Sequence, residues 1–571
     1  MTAVVPAPTR TRRRIGPGPA DSRVATVRLL ALWAVLLPFE PEAVWLSVGP
    51  VDLRLGQILE LAVVASFVAG TLGRRSRPGR GDSPPVPRAV RVTALLFAVV
   101  LAVSPLLSSG DRQTMVAMGF RFGLGLAVAA VAAGAVRSRE DMMLLTRALA
   151  TGVVVAAVVG LWAMASGGEA PFTSWLRGSP TRLGLDPRLT RPFPHANLAA
   201  VFLAAGLPAV VATTPVKATI PLRWGITVAT VALAAGLTYS RPVLLLPVAA
   251  LVVAAVGARE MSRRWWTAAG LVAAVILAVV LTDPHWRTRI LHPGNDGFYA
   301  VTVDAPGALT LGTSPETVRV TVTNPGSDTW STGGADSVQL GIRWQSPDGA
   351  TQFATETHPL AREIGPGRTV DIEVNLVAPV PAGSYVAVWD LVIDREVWFA
   401  ESTGSRFVTA VTVTADRVPA GASASQPTPR RAAEVSRPRI WREALAVWAG
   451  RPLTGVGTSG FGSVATARLG PDSQRVVHAH DLVLESLADW GVPGGLVLPL
   501  LVALTVVSMA AAVRNGLVAN HHVWLVGTAA VLVGWSVVEW LLPFSATGGL
   551  FWLTGGLWWS VDRRTAVAAD V

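Results

Sequence analysis

Long apolar segments separated by short arginine-bearing loops constrain this chain more than any other feature of its sequence. About twelve segments are apolar enough to form transmembrane helices, which need roughly 20 such residues. Hydrophobic residues make up 51% of the 571 residues and charged residues only 15%, whereas soluble domains carry about 25% charged residues. We therefore expect an all-α polytopic membrane protein. The predicted spans lie near residues 24–48, 53–72, 92–107, 114–136, 144–165, 197–213, 224–237, 243–256, 265–281, 494–513, 523–541 and 548–561.

The basic residues in the short loops predict the orientation of these spans. Every second loop, counted from the N-terminus, contains Arg or Lys, which is the pattern of loops that stay in the cytoplasm. Both termini are then cytoplasmic, and the long segment 282–481 is extracytoplasmic. These loops also account for the net charge of +11, so we expect membrane lipids and no nucleic acid as partners.

An insert in the long segment has the sequence pattern of a soluble β domain. Residues 298–414 contain short runs in which valine or isoleucine alternates with polar residues, separated by turn sequences such as Asn324-Pro325-Gly326. About seven such strands predict an immunoglobulin-like β-sandwich. The chain has no cysteine, so Trp344 and Trp389 are the expected centre of its core. The insert is either a spacer or a module that binds an acceptor or partner, and we favour the spacer because a fold alone carries no function.

The predicted domain organisation follows from these segments. It comprises a basic cytoplasmic tail (1–23), a first membrane part (24–281), the insert (298–414), a linker rich in proline, alanine and serine (415–437), a motif region with amphipathic helices (438–493), a last membrane part (494–562) and a cytoplasmic tail (563–571).

The motif region carries the most distinctive residues. It opens with Pro438-Arg-Ile-Trp441, continues through a Pro-Leu-Thr-Gly-Val-Gly turn, and ends with His478-Ala-His480-Asp481 before a short amphipathic helix. Histidine titrates near neutral pH and is suited to general acid or base catalysis. Neither solubility nor core packing requires this arrangement, which therefore indicates a functional site.

The order of these features resembles the C-terminal signature of the O-antigen ligase/polymerase superfamily. Two upstream sequences are also similar to it: Arg191-Pro-Phe-Pro-His-Ala-Asn197 and Ser240-Arg241. The resemblance implies a multi-pass enzyme of the bacterial cytoplasmic membrane. Such an enzyme transfers a glycan from a polyprenyl-pyrophosphate carrier to a glycan or lipid acceptor on the outer face, and other polysaccharide assembly proteins are conceivable partners. The insert lies outside the resemblance.

The resemblance and the residue chemistry together suggest individual roles. Arg241 would bind the leaving pyrophosphate, and His480 would remove the proton from the attacking hydroxyl. The further substrate-binding candidates are Arg191, His478, Asn197 and Arg442.

Each candidate also has a structural alternative. An arginine at a membrane border can simply contact lipid headgroups, and Arg442 lies on an amphipathic helix, where a structural role is the simpler interpretation. His195 could cap the helix that begins near Asn197, and Asp481, where the family usually has asparagine, is a predicted N-cap. Three other arginines could take the place of Arg191: Arg177, Arg182 and Arg188.

We expect no metal cofactor. The outer loops of the membrane part contain no Asp-x-Asp motif, and their one close acidic pair is Glu40 and Glu42. No third ligand accompanies the two histidines of the motif. Guanidinium groups, which bind phosphate bidentately, would then stabilise the leaving pyrophosphate.

Two other functions are alternatives to a ligase or polymerase. A transporter or flippase would place ionisable residues near the bilayer midplane, for which Glu60 and Glu539 are the candidates. A scaffold that only displays the insert would leave the Ser-Arg and His-x-His motifs unexplained. The motifs favour the transferase and do not distinguish a ligase from a polymerase.

The orientation can be tested with fusions. A reporter fused after Val418 should be extracytoplasmic and one fused at Ser76 cytoplasmic, because the basic loops fall on one side. Alkaline phosphatase activity and fluorescence of a fused fluorescent protein measure the two locations. The reverse result at both sites would contradict a site on the outer face.

Overall fold

The computed structural model describes most of the chain. The described residues are 19–41, 43–72, 86–107, 111–166, 175–176, 182–183, 186–213, 221–258, 262–283, 286, 290, 299–312, 314–326, 329–332, 337–349, 351–378, 380–393, 397–400, 407–414, 437–469 and 476–561.

Each predicted span overlaps an α-helix, and the span 494–513 also includes the last two residues of the helix before it. The helices are α1 (Pro19–Leu36), α2 (Leu55–Leu72), α3 (Arg88–Leu107), α4 (Arg112–Ala135), α5 (Arg139–Ala165), α6 (Ala196–Ala212), α7 (Leu222–Gly236), α8 (Leu246–Gly257), α9 (Ser262–Thr282), α13 (Val497–Arg514), α14 (Val523–Ser536) and α15 (Ser545–Trp559); the motif region adds α10 (Arg437–Gly450), α11 (Phe461–Leu469) and α12 (Leu482–Gly495). Among the described residues, six helices are long and apolar enough to cross a membrane: α2, α3, α4, α5, α9 and α13. Four more are apolar but shorter, so the count of twelve spans stays a prediction.

Three predicted boundaries are wrong. The first span ends at Leu36, because Pro38 and Pro41 cannot continue a helix; a small hairpin of β1 (Leu46–Val48) and β2 (Val51–Leu53) follows. Helix α14 ends at Ser536, so Glu539 lies in the loop 537–544. Arg437 begins α10 and does not belong to the linker.

Helix α6 forms the centre of the membrane domain. It is apolar on all sides, and every residue from Leu198 to Ala212 is buried. It packs against α5, α7, α8 and α14. Small residues let the surrounding helices approach closely: a Cβ added at Gly527 of α14 would lie 2.8 Å from the carbonyl oxygen of Ala250. The start of α6 is therefore held rigidly at one end of the helices.

The insert forms two β-sheets around one core. Its strands are β5 (Thr302–Asp304), β6 (Ala308–Leu311), β7 (Glu316–Thr323), β8 (Val338–Gln345), β9 (Gln352–Pro359), β10 (Thr369–Leu376), β11 (Gly383–Ile393), β12 (Val397–Trp398) and β13 (Phe407–Val413). One sheet has the order β10-β7-β5 and the other β6-β13-β11-β8-β9, with β12 beside β11. Trp344 and Trp389 are fully buried, as predicted. A further two-residue pair, β3 (Arg182–Leu183) and β4 (Asp186–Pro187), lies before α6.

The core of the insert continues into the membrane domain. The same buried apolar cluster contains Tyr239, from the turn after α7, together with Val279 and Trp286 from the end of α9 and just beyond it. Trp286 donates a hydrogen bond to the carbonyl oxygen of Gly236 (3.2 Å). The insert is thus attached next to the turn that carries Ser240 and Arg241.

Excision of residues 298–414 with a short Gly/Ser bridge tests the spacer interpretation. We expect the membrane helices to fold and some glycan transfer to remain, at a lower melting temperature because Trp286 and Tyr239 lose apolar cover. Thermal unfolding and an activity assay on the purified variant measure both effects. A properly inserted variant with no detectable transfer would show that the insert is part of the site.

Candidate active site

Several polar residues surround a buried carboxylate, Glu539. They lie at the end of the membrane helices to which the insert is attached. Glu539 lies in the loop 537–544, and its side chain is only 8% exposed. Its Oε1 atom lies 2.5 Å from Nδ1 of His480. His480 has a φ of 54°, a left-handed conformation that needs support from its surroundings in a residue other than glycine. This conformation places the imidazole against the carboxylate.

The second oxygen of Glu539 joins two further segments. Asn197, at the start of α6, donates from Nδ2 to Oε2 (3.3 Å). Nη2 of Arg437, the first residue of α10, lies 3.5 Å from the same oxygen. Burial raises the pKa of Glu539, but the hydrogen bond and charge of His480 and the charge of Arg437 lower it, and the net pKa lies below the usual value. Glu539 is therefore an anion at neutral pH.

Asn197 connects this carboxylate to the Ser-Arg turn. Its Oδ1 accepts hydrogen bonds from Oγ of Ser240 (3.0 Å) and from Nη2 of Arg188 (3.3 Å). Arg188 also donates from Nε to the carbonyl oxygen of Thr238 (2.9 Å). One amide thereby fixes the turn that precedes Arg241 against the start of α6.

Arg241 stands at the edge of this cluster. It begins a short 3₁₀ turn, Arg241–Leu244, and is partly exposed. Burial, followed by the charge of Arg437, lowers the pKa of Arg241 below its usual value. The positive charges of Arg241 and Arg437 therefore repel each other, and Arg437 lies beside the His480–Glu539 pair.

His195 has the capping role that was its structural alternative. It is the N-cap of α6, and its Nδ1 accepts the backbone N–H of Asn197 (3.1 Å). Burial and the neighbouring charge of Arg188 lower the pKa of His195 to about 4. The ring is therefore neutral at pH 7, as a hydrogen-bond acceptor at Nδ1 must be.

The structure does not bring Arg191 and Arg442 together with these residues. Arg191 donates from Nη1 to the carbonyl oxygen of Leu176 (2.7 Å), in the segment 175–176. From the same stretch, Arg188 is the arginine that reaches Asn197. Arg442 is exposed and donates to the carbonyl oxygen of Pro438 on its own helix (3.4 Å). Helical periodicity explains why Arg442 lies apart. Arg437 and Trp441, four residues apart, share one face of α10, which is directed at residues 478–480 (the histidine segment) and at Glu539.

The two histidines of the motif face different partners. An extended segment would place both side chains on one face, but the left-handed turn at His480 separates them. His478 is buried, with its Nδ1 3.6 Å from Oε1 of Glu485 and its ring edge-on to Phe544 (5.9 Å between centroids). His480 is the one that joins Glu539.

The glycine-rich turn, residues 452–462, packs against α12. Gly455 has a φ of 64°, and a side chain there would overlap the backbone of Asp489. The Asp489 carboxylate accepts the backbone N–H groups of Ser459 (2.6 Å) and Phe461 (3.1 Å). Burial, followed by the neighbouring Glu485, raises the pKa of Asp489 well above its usual value.

The predicted N-cap at Asp481 is confirmed. Its carboxylate accepts the backbone N–H groups of Val483 (2.9 Å) and Leu484 (2.8 Å). The cap fixes where α12 begins, two residues after His480.

Sequence reasoning missed three residues of this site. The sequence pattern indicates Glu539 only as a membrane carboxylate, assigns Arg437 to the linker, and gives Glu485 of the motif region no role. Glu539 and its partner His480 are 59 residues apart in the sequence, so no local sequence pattern indicates that they pair.

No metal site is evident in the part of the chain that the structure describes, where no group of three or more histidine and carboxylate side chains is suited to hold an ion. Glu40 is buried. Glu42 and Arg177 lie outside the described residues, as does the side chain of Arg182.

Comparison with protein families assigns two regions of the chain. Residues 397–498 match the family model described as O-Antigen ligase, a region that includes α10 to α12 and hence Arg437, His478 and His480. Residues 316–413 match the model described as Ig-like domain from next to BRCA1 gene, which coincides with β7 to β13. No curated protein matches the chain.

Proposed function

We infer from the O-antigen ligase domain at residues 397–498 that this chain is a multi-pass membrane protein of the O-antigen ligase/polymerase superfamily. We propose that it transfers a glycan from a polyprenyl-pyrophosphate carrier to an acceptor hydroxyl. The observation that supports the reaction best is the His480–Glu539 pair beside two guanidinium groups. We place the site on the outer face of the bacterial cytoplasmic membrane, and the insert, as an immunoglobulin-like spacer, on the same side.

The base is His480. With Nδ1–H donated to the Glu539 carboxylate, Nε2 is left as the acceptor that takes the proton of the incoming hydroxyl. The carboxylate fixes the tautomer and stabilises the imidazolium that forms. Glu539 must remain ionised to do so, and Asn197 and Arg437 stabilise its negative charge at the second carboxylate oxygen.

The arginines stabilise the negative charge of the leaving group. As the acceptor oxygen attacks the anomeric carbon, the bond from that carbon to the carrier's pyrophosphate oxygen breaks, and the carrier leaves with the bonding electron pair. Arg241 and Arg437 bind this charge in our proposal, each able to present a planar fork of donors to phosphate oxygens. The proton held by His480 then passes to solvent or to the departing phosphate. No metal ion is needed in this scheme.

The position of Glu539 also bears on the transporter alternative. A transport carboxylate is expected near the bilayer midplane. Glu539 lies instead after the end of α14, in contact with a histidine of the motif region. This favours chemistry at the membrane surface. Whether the acceptor is a second carrier-linked glycan (a polymerase) or a different glycan or lipid (a ligase) is decided by the product.

The base can be tested by substitution. His480→Ala should lower kcat by about 10²–10⁴-fold, the usual contribution of a general base. Glu539→Gln should also lower kcat, because the neutral amide cannot stabilise an imidazolium, and His478→Ala should have a milder effect. Transfer of a polyprenyl-pyrophosphate glycan by the purified protein is measured, with Glu443→Gln on the partly exposed ion pair to Arg468 as the matched control. Full activity of His480→Ala would contradict the assignment.

The charge stabilisation has its own test. Arg241→Lys and Arg437→Lys keep the charge but lose the bidentate fork, so each should lose most activity with normal membrane insertion. Arg319→Lys, on an exposed cross-strand pair of the insert, is the control. EDTA should have little effect. Abolition by EDTA with rescue by Mg²⁺ or Mn²⁺ would overturn the arginine scheme and redirect attention to Glu40 and Glu42.

A further inference from the structure

Two carboxylates of helix α12 are buried completely and take no part in the proposed reaction. Glu485 and Asp489 are 0% exposed and lie four residues apart, so they share one face of the helix. A buried charge is costly unless hydrogen bonds or an opposite charge compensate it. What each carboxylate binds therefore indicates why it is there.

Each carboxylate holds the backbone of a different loop. Asp489 accepts two N–H groups of the glycine-rich turn, from Ser459 and Phe461. Glu485 accepts the N–H of Ala479 at Oε2 (2.5 Å), and its Oε1 lies 3.6 Å from Nδ1 of His478. Among the residues that the structure describes, neither Nδ1 of His478 nor Oε1 of Glu485 has a hydrogen-bond partner. Helix α12 thus ties the turn and the histidine segment together from inside.

The peptide groups before His480 are fixed on both sides. While Glu485 binds the N–H of Ala479, the indole Nε1 of Trp441 donates to the carbonyl oxygen of Ala479 (3.0 Å). His480 follows directly, in the left-handed conformation that brings its ring to Glu539. Such a conformation persists only where the surroundings enforce it. Removing the acceptor for Ala479 would free the segment to relax to an ordinary φ and move the imidazole.

We propose that Glu485 is a positioning residue, which holds the Ala479 peptide so that His480 meets Glu539 in the geometry of a general base. The kinetic part of this inference rests on the proposed transfer reaction. Glu485 touches neither the donor nor the acceptor in this arrangement and acts through His480.

Three substitutions at one position test the proposal. Glu485→Gln keeps an oxygen that can accept the Ala479 N–H, Glu485→Asp is one methylene too short to reach it, and Glu485→Leu removes the acceptor. We expect kcat to fall by the order of 10²-fold in the Asp and Leu variants, a typical cost of a small misplacement, and to be largely retained by Gln. The KM for the donor should change little, because Arg241 and Arg437 lie on other segments.

The matched control uses the same three substitutions at Glu443. This carboxylate lies on α10 in the same region and pairs with Arg468 (2.9 Å). Among the described residues, no hydrogen bond or ion pair joins it to residues 478–480. Its variants should keep both kcat and KM. If the Leu variant at 485 does not fold, the comparison of Asp with Gln still decides.

A second readout does not depend on glycan transfer. A proton shared by a histidine nitrogen and a carboxylate in a short hydrogen bond resonates far downfield in the ¹H spectrum, and histidine labelled with ¹⁵N identifies it. The resonance assigned by its absence in His480→Ala should disappear in Glu485→Asp and Glu485→Leu and persist in Glu485→Gln. If the wild-type protein shows this resonance but transfers no glycan, its loss in Glu485→Asp and Glu485→Leu would still support the positioning role, while the proposed function would be refuted.

Several outcomes would overturn the proposal. They are retention of the resonance and of kcat in the Asp and Leu variants, equal loss in the Gln variant, and a rise in KM with unchanged kcat. Equal effects of the Glu443 control series would also do so, because they would show only a general loss of stability.

Discussion

The arrangement of the whole site depends on keeping one carboxylate ionised at a position that is almost inaccessible to water. Glu539 is 8% exposed, and a carboxylate removed from water remains ionised only if cations and donors replace its hydration. The protein supplies His480 at one oxygen, and Asn197 and Arg437 at the other. These partners come from three separate segments, so the requirement of a single anion brings together the start of α6, the start of α10 and the end of the motif.

The membrane domain makes this convergence possible by its packing. Helix α6 is buried along its length, which leaves its first turn little freedom to move. Asn197 therefore presents its amide at a fixed point, and His195 caps the same turn as a neutral acceptor. Helix α14 ends at Ser536, which frees the chain to turn Glu539 toward that amide. A longer α14 would carry the carboxylate away from the histidine.

The sequence predicts the parts of this structure that depend on local or periodic patterns. Apolar runs locate the helices, strand alternation locates the core of the insert around Trp344 and Trp389, and a short polar residue before an apolar run indicates the N-cap at Asp481. The first span was predicted too long although Pro38 and Pro41 mark its end. Contacts between distant segments leave no such pattern. Glu539 stands in an apolar run, so the sequence pattern places it in a membrane span. It could be recognised as the partner of His480 only when the fold had brought them within 2.5 Å.

The supports of the site divide into two halves with different origins. The turn that precedes Arg241 is held by Arg188 and Asn197, and, through Tyr239 and Trp286, by the apolar core that continues into the insert. The segment that carries His480 is held by Glu485 and Trp441, within the motif region. The two halves meet where Asn197 donates to Glu539. A change in the insert can therefore displace Arg241 without displacing the imidazole of His480. A change in α12 acts first on that imidazole. The bond between Asn197 and Glu539 is the point at which an alteration of either half would be transmitted to the other.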